Sequence, residues 1–329
     1  MIGNARLLIT GGTGFFGKAL LRHQLCLELS KPFEISVLSR NPRQFLINNP
    51  EFRGHPSIGF VRGDILQRDS LPWGHDFTHV LHAATDSTIG PSLMTLHRYD
   101  QIVEGTRNVL ELAVSTGARR FLLTSSGAIY GTQPDDLAAI PEDWPCSPPL
   151  ADPTMAYGQA KRAAEHLCAL YAHQHGIETL VARCFAFVGP DLPLSVHFAI
   201  GNFIRDALTA DAITVDGDGT PLRSYLDQSD LAHWLFTLLE RGRSGEAYNV
   251  GSDQVISIAG LAHLVRDVLA PEKPVHIVGN PDAGSPRNRY LPDISKVQQE
   301  LGLSPTIPLL EAIRRAAAVA QAASALDGV

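Results

Sequence analysis

Short apolar runs alternate, through the first half of the chain, with stretches whose apolar residues recur at helical spacing. Arg6–Thr10, Glu34–Leu38, Ile58–Val61, His79–His82, Arg120–Thr124 and Glu178–Ala182 read as strands. Helical stretches intervene, notably over 100–116 and 157–175. Strands that alternate with helices in this way predict a doubly wound α/β fold with a parallel sheet. Five prolines fall in the thirteen residues from Pro141 to Pro153, which predicts an irregular segment just before the second of those helices. From about Phe185 the pattern changes to longer loops and short elements. This predicts a smaller mixed α/β C-terminal lobe, 185–329, interleaved with the 1–184 sheet domain rather than joined to it by a linker. The Ala-rich tail after Arg315 reads as a final helix.

Two local patterns carry chemistry. The first strand runs directly into Gly11-Gly-Thr-Gly-Phe-Phe-Gly17, and Ala19-Leu-Leu then opens a helix. Glycines at Gly11, Gly14 and Gly17 permit a tight turn, close approach of a pyrophosphate and close helix–strand packing. The helix N-terminus adds amide donors and the positive end of a dipole. A strand, glycines and a helix in this order predict a nucleotide site at the N-terminus. The spacing is Gly-x-x-Gly-x-x-Gly rather than the G-x-G-x-x-G of many dehydrogenases. The second pattern is Tyr157-Gly-Gln-Ala-Lys161, with Thr124-Ser125-Ser126 upstream. Four residues apart on a helix, Tyr157 and Lys161 share a face. An ammonium there is expected to ease ionisation of the phenol, making Tyr157 a usable acid or base.

These motifs occur in order with Gly63-Asp64, His82-Ala83-Ala84, Thr124-Ser-Ser-Gly-Ala-Ile-Tyr-Gly131, Arg183-Cys-Phe-Ala-Phe-Val-Gly-Pro190, Gly217-Asp-Gly-Thr-Pro-Leu-Arg223 and Asn249-Val-Gly251. Together they resemble the extended short-chain dehydrogenase/reductase family, in its nucleotide-sugar epimerase, dehydratase and reductase branch. The resemblance covers nearly the whole chain. It implies a Rossmann domain that binds NAD(P) through Gly11, Thr13, Gly14, Phe15, Phe16, Gly17, Asp64, Ile65, Ala83 and Ala84, together with Tyr157 and Lys161. It also implies catalysis by Ser126, Tyr157 and Lys161, the Lys reaching the nicotinamide ribose as well. Ser126 is preferred to Ser125 because it precedes Tyr130 by four residues, as the family's active hydroxyl does, and strand alternation turns Ser125 away. Asp64 has a second reading as a helix N-cap. Relatives in this branch often pair through a four-helix bundle, so a homodimer built on 100–116 and 157–175 is expected, with a role in polysaccharide biosynthesis.

The residue ending the second strand faces the adenosine ribose, and an acidic side chain there bonds the 2′-hydroxyl of NAD. Here Ser39-Arg40 occupies that place, with Arg43 one turn on. A hydroxyl and a guanidinium suit a 2′-phosphate, so NADP is expected over NAD. The alternative is an Arg40 that stacks on adenine whichever cofactor is bound. On the substrate side, the resemblance places Arg223 on a nucleotide diphosphate, with a looser match for Arg289. The stretch 198–203, with Asn202 inside, forms the lip over the nucleotide. His197 and Asp86 are further candidates, the latter facing the sugar.

Dehydratases of this branch carry an Asp-Glu pair directly after the Ser or Thr that meets the substrate. Gly127-Ala128 stands there in this chain, which argues against a 4,6-dehydratase. Two modes of hydride chemistry are left: reduction of a 4-keto-(6-deoxy) sugar by an exchanging NADPH, or 4-epimerisation by a retained NAD. Ser39-Arg40 favours reduction. A carbonyl reductase of flavonoid or steroid type would have no need of Arg223, and a non-catalytic NADP sensor would have none of Tyr157 and Lys161.

Composition adds exclusions. With 329 residues, 44% hydrophobic and 19% charged, the chain is of ordinary globular composition. A net charge of −7 argues against nucleic-acid affinity. Cys26, Cys146, Cys168 and Cys184 form no C-x-x-C pair and read as reduced packing residues in a cytoplasmic protein. The 13 histidines form no metal motif, so no metal is expected. No apolar run is long enough to span a bilayer, and the chain enters its first strand without a signal peptide.

Overall fold

The computed structural model describes residues 5–26, 34–85, 96–145, 147–195, 198–280 and 288–327. Strands form at each apolar run: β1 (Arg6–Thr10), β2 (Glu34–Ser39), β3 (Ile58–Arg62), β4 (His79–His82), β5 (Arg120–Ser126) and β6 (Glu178–Cys184). Helices are α1 (Phe15–Cys26), α2 (Pro42–Asn48), α3 (Leu96–Ser115), α4 (Ala156–His175), α5 (Ala199–Thr209), α6 (Gln228–Arg241), α7 (Ile258–Leu269), α8 (Ser295–Leu301) and α9 (Leu309–Asp327). β1 to β6 and the strand Ala247–Val250 make one parallel sheet of seven, ordered Ala247–Val250, β6, β5, β4, β1, β2, β3. The chain enters at β1, runs to one edge through β2 and β3, then returns to build the other half from β4. The order therefore reverses between β1 and β4, and a crevice opens at the carboxyl ends of those strands.

Strand alternation divides the core between two faces. Leu7 and Ile9 pack with Leu20 and Leu21 of α1 and Leu235 and Leu238 of α6. Leu8 faces the other way, among Ile102 and Val109 of α3 and Ala160 and Ala164 of α4. The sheet thus buries both faces, as a doubly wound fold must. A separate cluster, including Phe203, Ile204, Leu261, Val265 and Ile313, holds α5, α7 and α9 around the strand pair Ile213–Val215 and Val275–Ile277. Gln228, the first residue of α6, ties the layers together. Its amide donates to the Phe15 carbonyl at 3.0 Å and to Asp191 at 2.7 Å. Among the described residues no helix is long and apolar enough to cross a membrane.

The strand pattern does not reveal Ala247–Val250 as part of the sheet. The reason is Asn249, a fully buried polar residue inside a four-residue strand. Its side chain accepts from the Tyr130 hydroxyl at 2.9 Å and donates to the carbonyls of Ile140 and Asp293 at 2.8 and 3.0 Å. Every polar atom is satisfied, so burial is tolerated, but the apolar signature is lost.

His82, at the end of β4, is the other buried polar group that orders this edge of the sheet. Its Nδ1 lies 2.6 Å from the Thr10 hydroxyl, which itself accepts from the Ala84 amide at 3.3 Å. Nε2 lies 3.1 Å from the Thr106 hydroxyl, so both ring nitrogens of the neutral imidazole have a hydroxyl partner. Burial, helped by the Lys161 charge, holds the imidazole pKa down to about 3. Below an unfolded pKa of about 6.5 the unfolded chain takes up a proton that the native ring refuses, so stability falls with pH until about 3. Urea unfolding of the wild type is expected to lose roughly 1.6 kcal/mol through this residue alone between about pH 6.5 and about pH 5, the slope steepening toward about 1.4 kcal/mol per pH unit. The His82→Gln variant should show a correspondingly shallower slope, and equal slopes would contradict the neutral assignment.

Candidate active site

The glycine turn shows which of its glycines serve the fold and which do not. Gly11 has φ +72, and a Cβ there would sit 2.5 Å from the Ala83 carbonyl. At Gly17 a Cβ would meet the Gly12 backbone at 2.2 Å, so α1 packs onto the turn only because nothing protrudes. A Cβ at Gly14, by contrast, would meet nothing nearer than the Gly11 oxygen at 3.5 Å. Gly14 is compatible with alanine in the folded chain, and its bareness suits a group that approaches from outside. The first turn of α1 opens onto that space with its amide donors. Phe15 and Phe16 follow, the latter edge-on to Phe187 at 5.1 Å.

Thr13, Ser39 and Arg40 line one cavity of about 430 Å³, together with Lys18, Asn41 and Gln44, and no carboxylate is among its lining residues. Lys18 is a basic residue that the sequence reading does not single out; it stands one helical turn beyond Gly14 and 3.5 Å from Asp191. Arg43 does not line this cavity. Asp64 spends one carboxylate oxygen on the Leu66 amide at 3.0 Å, within its own turn. Ile65 is buried beside Gly105, while the amides of Ala83 and Ala84 are held by Thr10.

At the other end of the crevice, β5 delivers Ser126 and the first turn of α4 delivers Tyr157, near enough for the Ser126 hydroxyl to favour the ionised phenol. Ser125 points oppositely and donates to Glu165 of α4. Lys161, one turn after Tyr157, is 3% exposed and donates to the Thr85 hydroxyl at 3.0 Å and the Thr124 carbonyl at 2.8 Å. Burial pulls its pKa down to about 8. Its ammonium is 6.0 Å from the centre of the Tyr157 ring. The expected easing of phenol ionisation is thus not the net result. Burial raises the Tyr157 pKa, against the opposing Ser126 hydrogen bond and the charge of Arg98.

Tyr290 is a site residue that sequence reasoning misses. Its hydroxyl lies 3.3 Å from Ser126 Oγ and its ring 4.7 Å from that of Phe185. A tyrosine in a two-residue strand carries no pattern, and only the fold brings it beside Ser126. Phe185 and Tyr290 also explain Gly127, where a Cβ would lie 2.8 Å from both the Phe185 ring and the Tyr290 hydroxyl.

Arg223 lies on the short strand Leu222–Arg223, its guanidinium donating, among the described residues, to the carbonyls of Leu222 at 2.8 Å and Asn288 at 3.1 Å. Burial lowers its pKa. Arg289 does not join it. The register sets Tyr290 beside Arg223 and Arg289 beside Leu222, so Arg289 falls on the opposite face, 4.0 Å from Asp135. The expected pair of arginines on one diphosphate is not assembled. Asn202 sits in α5 and accepts from Arg205 at 3.2 Å. Asp86, Cys146, His197 and Arg287 lie outside the described residues. Among the described residues no cluster of three His, Cys, Asp or Glu could hold a metal ion.

Residues 7–251 match the model of the NAD dependent epimerase/dehydratase family. The chain belongs to that family. Among its relatives, a UDP-glucuronic acid decarboxylase from Arabidopsis thaliana is 32% identical over 94% of this chain and 87% of its own. A dTDP-glucose 4,6-dehydratase from Streptomyces griseus is 27% identical over 93% of this chain and 91% of its own. Of solved structures, the UDP-glucose 4-epimerase of Thermotoga maritima superposes with a TM-score of 0.81 at 21% identity, covering 97% of this chain and 99% of that one. That last likeness shows the fold. The ordered motifs of this chain are thus those of the epimerase/dehydratase family on its doubly wound sheet.

The three glycines separate in a ligand-free measurement. Gly17→Ala is expected to destabilise the chain by about 1–3 kcal/mol or more, as overpacking does. Gly14→Ala should unfold in urea within about 0.5 kcal/mol of the wild type, yet lose most of its affinity for nicotinamide dinucleotides in a fluorescence titration. Normal affinity in Gly14→Ala would remove Gly14 from the site.

Proposed function

We propose that the chain transfers hydride at a ring carbon of a nucleotide-diphosphate sugar, in the net direction of reducing a 4-keto-6-deoxy sugar. The observation that carries this reading is that Ser126 and Tyr157 are brought together beside a Gly127 that Phe185 and Tyr290 close off. The pair can bind a carbonyl oxygen and deliver a proton to it. The closed space at Gly127 leaves no room for the extra acid or base that removing water requires. The cradle of Gly11, Gly14 and Gly17 and the amides of α1 fit a dinucleotide pyrophosphate. When bound, the nicotinamide supplies the hydride that reaches the carbonyl carbon.

The remaining steps belong to the protein. Ser126 fixes the substrate oxygen, and Tyr157 gives up its phenolic proton as the oxygen gains charge. The raised pKa keeps that proton in place until it is needed. Lys161, anchored on Thr85 and Thr124, holds its charge beneath the phenol and recovers the proton balance from solvent. The cavity lined by Ser39, Arg40 and Lys18 supports NADP(H), since two cations and a hydroxyl suit a 2′-phosphate. Arg223, whose partners among the described residues are carbonyls, supports a diphosphate on the 185–329 lobe, opposite a cofactor on the 1–184 domain. Leu96 of α3 and Leu170 of α4 are 83% and 41% exposed, which supports a homodimer formed through these two helices.

A second reading is favoured by the decarboxylase relatives. Withdrawing hydride from the carbon β to a sugar carboxylate makes a β-keto acid, which releases carbon dioxide and leaves an enolate that takes a proton from water at the ring carbon. Gly127 would permit that as well, and the hydride would return to the product. Incubation with dTDP-4-keto-6-deoxyglucose is expected to consume NADPH faster than NADH. Tyr157→Phe should retain dinucleotide binding while turnover falls by about 10²–10⁴. Carbon dioxide release from UDP-glucuronate with no net change in NADPH would replace reduction by the second reading.

The diphosphate assignment is tested separately. UDP or dTDP is expected to raise the Tm of the wild type and to do so much less for Arg223→Ala, because a ligand confined to the folded state stabilises by mass action. The variant's KM for the sugar nucleotide should rise about tenfold. No thermal shift of the wild type with any nucleoside diphosphate would point instead to small uncharged ketones.

A further inference from the structure

We propose that Arg98, reaching in from α3, is a positioning residue that acts through Tyr157 as a second and permanent cation. The geometry is direct. Arg98 is in the first turn of α3 and only 6% exposed, and its guanidinium carbon lies 5.1 Å from the centre of the Tyr157 ring. That is closer than the 6.0 Å of the Lys161 ammonium. Two cations therefore bracket one phenol, one from its own helix and one from the neighbouring helix across the packed pair α3 and α4. A guanidinium stacks on an aromatic face better than an ammonium does, and keeps its charge throughout the working pH range.

The other groups around the phenol show why a second cation matters. Ser126 at the end of β5 acts on the phenol and is uncharged. Cys184 of β6 is pushed up to about 12 by burial, and burial likewise raises Tyr290 of the C-terminal lobe, so both stay neutral in the working range. Glu165, two turns beyond Tyr157 on α4, is held by Arg183 at 2.9 Å and acts on Lys161 rather than on the phenol. Lys161 is therefore the other source of positive charge, and burial, reinforced by Arg98 itself, brings its pKa to about 8. Above that pH the ammonium loses its proton just where the phenol has most need of a counter-charge. Arg98, a guanidinium, presses Lys161 toward neutrality and takes over its electrostatic task, so that Tyr157 remains a competent acid–base group on the alkaline side.

This rests on Tyr157 being the proton donor, and the experiment separates the two claims. An ultraviolet difference titration of the phenolate in the protein without substrate, with Tyr157→Phe as the blank, reads Tyr157 whatever reaction it serves. Arg98→Met is expected to move that titration up by about one pH unit or more, and Arg98→Lys by much less. In the holoenzyme with its substrate, the pH limb of kcat should move the same way, while KM for the dinucleotide stays within about twofold. Coincident titrations of wild type and Arg98→Met would overturn the proposal. If Arg98→Met does not fold, Arg98→Gln takes its place. A shift in Arg98→Lys as large as in the neutral variant would also overturn it, since packing rather than charge would then be responsible. Should Tyr157→Phe keep full turnover, the acid–base reading fails, but the phenol titration still decides what Arg98 does to its neighbour.

Discussion

A run of buried polar groups stitches the carboxyl ends of β1, β4 and β5 together, and the crevice takes its shape from it. Thr10 holds the Ala84 amide and the His82 ring, Thr124 Oγ1 donates to the His82 carbonyl at 3.2 Å, and the Thr124 carbonyl accepts from Lys161. Each member is satisfied by the next, which is the condition under which polar groups in a core confer rigidity rather than weakness. The dinucleotide turn sits at one end of this run and the Tyr157 helix at the other. A single buried network therefore sets the distance between the cofactor cradle and the acid–base pair.

The parts that were legible in the sequence are those whose meaning is local. Gly11, Gly14 and Gly17 are constrained by a turn a few residues long, and Tyr157 and Lys161 by one helical turn, so spacing alone announces them. Strand alternation likewise separates Ser125 from Ser126. The less legible parts depend on partners brought from elsewhere in the chain. Arg98 and Tyr290 are 59 and 133 residues from Tyr157, and Lys18 meets Arg40 only because β2 lies beside β1. Arg289 is instructive in the other direction. The motif suggests that it faces the ligand, yet the pairing register of a two-residue strand turns it toward Asp135.

The C-terminal lobe does not merely cover the site. It supplies Arg223 and Tyr290, while Gln228 fastens its connection to the start of α1 through the Phe15 carbonyl. The glycine turn and the segment around Asp191 are thereby held in one frame through the first turn of α6.

The space around Gly127 has a consequence for how such a chain can change. Any side chain there collides with Phe185 on the strand side and Tyr290 on the lobe side. Acquiring a carboxylate at that position would require both rings to shift, although they stand far apart in the chain. The chemistry open to this chain is thus limited by crowding at a single backbone position.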